Sequence, residues 1–184
     1  MIYIVRHGKT DWNKEGRYQG HIDIELNELG KKQAQQIHEE LKGIKFDKVF
    51  SSPLKRAYKT AQIITDQEIT KDIRLIERYN GQLEGKLKTE VDVEIDFNDP
   101  NEHRLGIENI VDFRDRIKDF LDEITEKYKD KDVLIVTHAG ISIYIRCYFE
   151  GEPEDGNYNK YKLRNCEVLK YDNKKIQNQK QNKN

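Results

Sequence analysis

The sequence predicts an α/β domain built around a mostly parallel sheet, and three observations lead there. Short apolar runs alternate with longer segments whose apolar residues recur at helical spacing, as strands joined by crossover helices do. The runs "IYIV" and "VLIV" are apolar on both faces, which suits central parallel strands covered from two sides. Finally, "IYIVRHG" and "VLIVTHAG" share one plan: an apolar strand, a histidine at its end, then a glycine.

The first strand runs into "RHGKTDWN", which sets a fixed cation and an ionisable nucleophile at a strand end. A chain needing only a turn would use Asn, Gly or Asp there. In "NELGKKQAQQIHEELKG" the residues Leu29, Ala34, Ile37 and Leu41 form an apolar stripe; Asn27 can cap the helix and Gly43 can end it. "KVFSSP" is a strand leading to a second helix, with Pro53 expected at its first position behind a serine cap. Leu54, Ala57, Ala61 and Ile64 form that helix's buried stripe. "DIRLIE" reads as another short strand. The alternation in "TEVDVEIDF" fits a strand or a short helix, and residues 86–105 stay unassigned.

A long helix follows around "NIVDFRDRIKDFLDEITEKY", with Ile110, Phe113, Ile117, Phe120, Leu121 and Ile124 on one side. "VLIVTHAGIS" repeats the opening strand–histidine–helix plan, and "EVLKYD" is the final strand. No internal repeat or linker interrupts the pattern, so residues 1–172 form one domain. The polar stretch 173–184 is expected to be disordered.

The 184-residue chain is long enough for one sizeable core. Its net charge of -1 hides 36% charged residues of both signs, which argues against a nucleic-acid partner. No apolar run reaches membrane-spanning length, and the opening lacks a basic segment and cleavage site. Cys147 and Cys166 fit reduced thiols better than a disulfide framework. Together these features predict a cytoplasmic protein, with nothing to fix its oligomeric state.

Ligands of open α/β sheets bind beyond the carboxyl ends of the strands. That rule gathers Arg6 and His7 from the first strand, Arg56 after "KVFSS", Glu77 after "DIRLI" and His138 after "VLIVT". Arginine forks match phosphoryl oxygens, and helix amides add partial positive charge. A neutral imidazole can attack phosphorus, and cations beside His7 would keep it neutral. Glu77 could protonate the leaving alkoxide and then deprotonate water.

Five blocks now carry a family resemblance: "VRHGKTDWN", "GRYQGHIDIELNELGKKQA", "SSPLKRAYKTA", "LIERYNGQLEGK" and "IVTHAG". In this order and spacing the chain, from Ile2 to about Asp172, resembles the phosphoglycerate mutase-like branch of the histidine phosphatase superfamily. The resemblance implies a three-layer α/β/α sandwich and a metal-independent phosphomonoesterase with no cofactor, acting on a small phosphorylated metabolite. It implies His7 as the phosphorylated nucleophile, Arg6, Arg56 and His138 as the phosphate pocket, and Glu77 as proton donor. Asn13 would be a phosphate-loop partner, with Gln19 and Gly20 near the mouth.

The departures from the family pattern are Lys9 where an acid is common, His21 where a bulky aromatic often stands, and Leu83 in place of a Trp. All three could alter the pocket rim. His38 reads as surface, His103 has no role in view, and Trp12 and the ten tyrosines read as packing residues. No His-x-His or Cys-x-x-Cys pair suggests a metal, and neither a cysteine-phosphatase loop nor a Walker or dinucleotide fingerprint occurs.

Two rivals remain: a phosphoglycerate mutase and a silent phosphate-binding module. The segment after Glu77 is shorter than in the family's mutases and lacks their paired arginines. Its seven acids from Glu84 to Glu102 are expected to repel an anionic substrate. Retention of His7, Glu77 and His138 together counts against the silent module, whether it would bind phosphate or a phosphopeptide, because binding alone needs no proton donor.

Overall fold

The computed structural model describes residues 1–102 and 104–173; His103 and the polar stretch from residue 174 onward lie outside the described residues, so the expectations for them go unaddressed. Five strands form one sheet: β1 (Ile2–Arg6), β2 (Lys48–Ser51), β3 (Ile69–Lys71), β4 (Val133–Thr137) and β5 (Val168–Tyr171). Their order is β3-β2-β4-β1-β5, with every pair parallel except β1 with β5. The edge strand β5 therefore closes a parallel core.

The side-chain alternation of β1 splits the core into two layers. Ile2 and Ile4 face one side, where they pack with Phe113, Ile117 and Leu121 of α4 (Ile110–Lys127) and Ile141 and Ile145 of α5 (Ala139–Glu150). Tyr3 and Val5 face the other, against Ala34 and Ile37 of α2 (Glu28–Glu40) and Ala57, Ala61 and Ile64 of α3 (Lys55–Ile64). The result is the expected three-layer sandwich. A five-residue helix, α1 (Asp11–Glu15), lies just beyond β1 and is too short to show a sequence period.

Three local expectations are corrected. "DIRLIE" is not a strand: β3 ends at Lys71, and Asp72 caps a 3-10 turn over Ile73–Leu75 by accepting from the Arg74 amide at 2.9 Å. Arg74 then pairs with Asp72, Asp119 and Glu123, a set of charges no central strand could carry. Pro53 does not open the second helix. Ser52 Oγ accepts from the Leu54 amide at 3.3 Å, and α3 starts at Lys55. Leu29 is 51% exposed, leaving Ala34, Ile37 and Leu41 as the buried stripe around α2.

The unassigned segment holds two short 3-10 turns, Lys88–Glu90 and Arg104–Gly106, joined by irregular chain. Arg78 holds it to the body: Nη1 donates to Phe97 O at 2.5 Å, and Nε and Nη2 donate to Glu108 O. No helix among the described residues is long and apolar enough to cross a membrane.

Candidate active site

The three central strands end in step. Arg6 of β1 pairs with Thr137 of β4, and the His7 amide extends that ladder by donating to Thr137 O at 2.9 Å. Ser52, just past β2, extends it on the other side of β4 by donating to Val136 O at 3.0 Å. His7, His138 and Ser52 therefore meet at one sheet edge. The His7 and His138 rings have centroids 5.2 Å apart, and His138 Nε2 lies 2.7 Å from Ser52 Oγ.

His7 is buried, and its Nδ1 lies 2.7 Å from Gly8 O. A carbonyl oxygen can only accept, so Nδ1 carries the proton and Nε2 the lone pair. Burial first, then Arg56 and Arg6, hold this imidazole well below its ordinary pKa. His138 is depressed in the same way, by burial and then by Arg56, His7 and Arg6.

Both arginines are anchored through backbone carbonyls. Arg6 Nη1 donates to Leu163 O at 2.8 Å; Arg56 donates from Nη1 to Ile22 O at 2.9 Å and from Nη2 to Gly20 O at 2.7 Å. Burial lowers Arg56 to about 10, which still leaves it charged at neutral pH. Arg6 Nε, Arg56 Nε and His138 Nδ1 are buried with no hydrogen-bond partner among the described residues. Two of these nitrogens belong to arginines of the cavity wall, and open buried N–H donors there suit an anion.

Glu77 lines the same cavity. Its Oε1 accepts from the Arg78 amide at 2.9 Å and its Oε2 from the Gly140 amide in the first turn of α5 at 3.1 Å. A Cβ at position 140 would fall 2.5 Å from Glu77 Oε1, so glycine makes this approach possible. Glu84, by contrast, accepts from the His21 and Asn80 amides and is absent from the cavity wall.

Asn13, Gln19 and Gly20 also reach the cavity, of about 500 Å³. Asn13 Oδ1 is occupied by the Thr10 amide and by Asn165 Nδ2, each at 3.2 Å. That leaves the Asn13 amide nitrogen for the cavity. Gly20 sits at φ +49, and a Cβ there would meet Glu84 Oε1 at 1.8 Å. Its carbonyl orients Arg56, so Gly20 acts through the arginine. His138 is fully buried and is not part of the cavity wall.

The three departures from the family pattern fall elsewhere than the rim. Lys9, His21 and Leu83 do not line the cavity. His21 Nε2 lies 2.7 Å from Glu77 O, so it supports the acid from behind, while Leu83 is core. The expected repulsion by seven acids is also corrected, since only Asp96 among them reaches the wall. Six cations line it instead: Arg6, Arg17, Arg56, Arg78, Lys88 and Lys162. Tyr18, Tyr144 and Tyr158 line it too, so these tyrosines do more than pack. Sequence reasoning passed over Asn165 and the outer cations because no periodic pattern or strand end marks them, and over Ser52 because a serine after β2 reads as a helix cap.

Comparison with known proteins agrees with this geometry. A mycobacterial glucosyl-3-phosphoglycerate phosphatase, solved as a complex with VO3, superposes with a TM-score of 0.78 at 28% identity, covering 91% of this chain and 90% of that one. Phosphoglycerate mutase-like protein 4 of Arabidopsis thaliana is 38% identical over 160 residues, which is 79% of this chain and 70% of the relative. Phosphoserine phosphatase 1 of Hydrogenobacter thermophilus is 36% identical over 148 residues, 75% and 70% of the two chains. The family model described as histidine phosphatase superfamily (branch 1) matches residues 2–184. With paired strand-end histidines, Arg6 and Arg56 beside them and this match along the chain, the protein belongs to the histidine phosphatase superfamily and is a histidine-dependent phosphatase.

Proposed function

We propose that the protein hydrolyses small phosphomonoesters through a phosphohistidine on His7, without a metal. The observation that carries this reading is the bond from His7 Nδ1 to Gly8 O, which leaves a lone pair on Nε2 under the influence of the buried Arg56 and the half-buried Arg6. In the first step Nε2 attacks phosphorus, the N–P bond forms, and the P–O bond to the alcohol breaks. Glu77 gives its proton to the departing oxygen. In the second step water attacks phosphorus, Glu77 takes the water's proton, the N–P bond breaks and inorganic phosphate leaves.

Arg6, Arg56 and the Asn13 amide hold the phosphoryl oxygens throughout. In this reading His138 adds a donor: Ser52 Oγ, which accepts from the Leu54 amide, gives its own hydrogen to His138 Nε2 and so puts the ring proton on Nδ1, the nitrogen with no partner among the described residues. These groups supply the positive charge that a metal supplies in other phosphoryl-transfer sites.

Residues 1–172 are the catalytic unit in this reading, and a cytoplasmic location belongs to the same proposal. Phosphoserine, glyceryl and sugar phosphates are the substrate classes to screen first, since relatives are named for acting on phosphoserine and glucosyl-3-phosphoglycerate.

The test is His7→Ala, checked for folding by circular dichroism. Turnover of an aryl phosphate should vanish, and wild-type protein quenched during turnover should carry acid-labile, alkali-stable phosphate. Activity in the variant above a trace, or an acid-stable linkage, overturns the mechanism.

A further inference from the structure

Among the cations of the cavity, Lys162 is the one with neither a task in the proposed chemistry nor a partner among the described residues. It follows the 3-10 turn Tyr158–Tyr161, and its amide donates to Asn159 O at 3.2 Å. The next residue, Leu163, is buried and locked at both ends. Its amide donates to Ser142 Oγ at 3.1 Å, and its carbonyl accepts from Arg6 Nη1 at 2.8 Å. The backbone that carries Lys162 is thus tied directly to an arginine of the phosphate end.

The other cations away from the phosphate end have partners. Arg78 spends its guanidinium on two carbonyl oxygens, Arg17 donates to Glu15 and to Gly85 O, and the Lys88 ammonium sits 5.5 Å from the Tyr18 ring centre. The Lys162 ammonium has neither a hydrogen bond nor an ion pair among the described residues. Burial, then Lys88 and Arg6, press its pKa down, and Glu77 opposes them more weakly. An anion placed at Lys162 would relieve this repulsion.

The phosphoryl group is already served by Arg6, Arg56 and Asn13, so the anion missing at Lys162 is a second one on the same ligand. We propose that Lys162 is a specificity-determining residue that binds a carboxylate on the non-phosphoryl part of the substrate. Lys162 and Arg6 line the same cavity and feel each other's charge, so a compact ligand can present one anionic group to each. The preferred substrate is a compact phosphomonoester bearing a carboxylate a few bonds from the ester oxygen. This inference rests on the phosphatase reading above.

The test compares 3-phosphoglycerate with glycerol 3-phosphate, which share a three-carbon skeleton and differ by a carboxylate against a hydroxymethyl group. Phenyl phosphate, which has neither, is the third arm. At about 0.3 M salt, where long-range steering is screened, wild-type kcat/KM should favour the carboxylated ester by roughly tenfold or more. Lys162→Met should shrink that ratio by a similar factor, and Lys162→Arg should keep most of it. A wild-type ratio near one overturns the proposal without any variant, and so does an equal loss on both esters in Lys162→Met. Failure to turn over all three esters would instead overturn the phosphatase reading. Turnover of phenyl phosphate without a carboxylate preference would remove Lys162 alone.

Discussion

Ser52 Oγ and His138 Nε2 lie 2.7 Å apart, joining the ends of β2 and β4 by one buried hydrogen bond. If this bond fixes the ring proton on Nδ1, Ser52→Ala should lower kcat by roughly tenfold while the fold holds, since such bonds are worth about 1 kcal/mol or somewhat more. Nitrogen NMR of His138 supplies a readout that a merely structural role would not move. Its tautomer should shift in the variant, and an unchanged tautomer with unchanged kcat would remove Ser52 from the site.

The two histidines also set a pH dependence of stability. Their folded pKa values lie below the ordinary imidazole value, so the unfolded chain binds protons first as pH falls. Stability then rises with pH: it is fully present above about 6.5 and is lost as pH falls from there toward the folded values. Each histidine contributes a slope of at most about 1.4 kcal/mol per pH unit. Urea unfolding at a series of pH values from 7.5 to about 5.5 should show this loss. His7→Ala with His138→Ala should flatten it, and an unaltered slope would assign the effect to other groups.

Glu77 predicts a dependence on leaving group. Glu77→Gln should slow alkyl phosphates by about a hundredfold or more and activated aryl phosphates far less, because a good leaving group departs without a proton. Gly140→Ala should reproduce part of this pattern with the acid still present, since its Cβ would force the Glu77 carboxylate aside. Equal losses on both ester classes would move the proton donor elsewhere.

Phosphate release should exceed mutase activity. If the irregular segment that lines the cavity lets water reach the phosphohistidine of the proposed mechanism, hydrolysis wins over transfer. Assayed with 2- and 3-phosphoglycerate and the bisphosphorylated primer, the protein should release phosphate with little interconversion, and chelators should leave the rate unchanged. Efficient interconversion with negligible phosphate release would reverse this choice.

The parts of the site legible in the sequence were those fixed at strand ends. His7 and His138 close apolar runs that can only be central strands, and the sheet then brings them together whatever lies between. Glu77 was found for a partly wrong reason, since a capped 3-10 turn and not a strand delivers it. Lys88 reaches the cavity from a single 3-10 turn and Asn98 and Lys162 from irregular chain, where neither period nor pattern says which way a side chain points. The seven acids misled for the same reason. Charge in a sequence carries no direction, and Glu102, for example, turns away to pair with Arg104.

The neighbours in the middle of the sheet have one more consequence. β1 pairs with β4 across most of the chain length, from Ile2 with Val133 to Arg6 with Thr137. During synthesis the nucleophile's strand leaves the ribosome early and waits for its partner until α4 and β4 have followed. Contacts this distant in sequence make for slow, late closure, and the reacting pair of histidines forms only at that closure. A partly made chain therefore carries His7 without the arginine–histidine setting that would make it reactive. In the proposed mechanism phosphoryl chemistry would thus wait until β4 has joined β1.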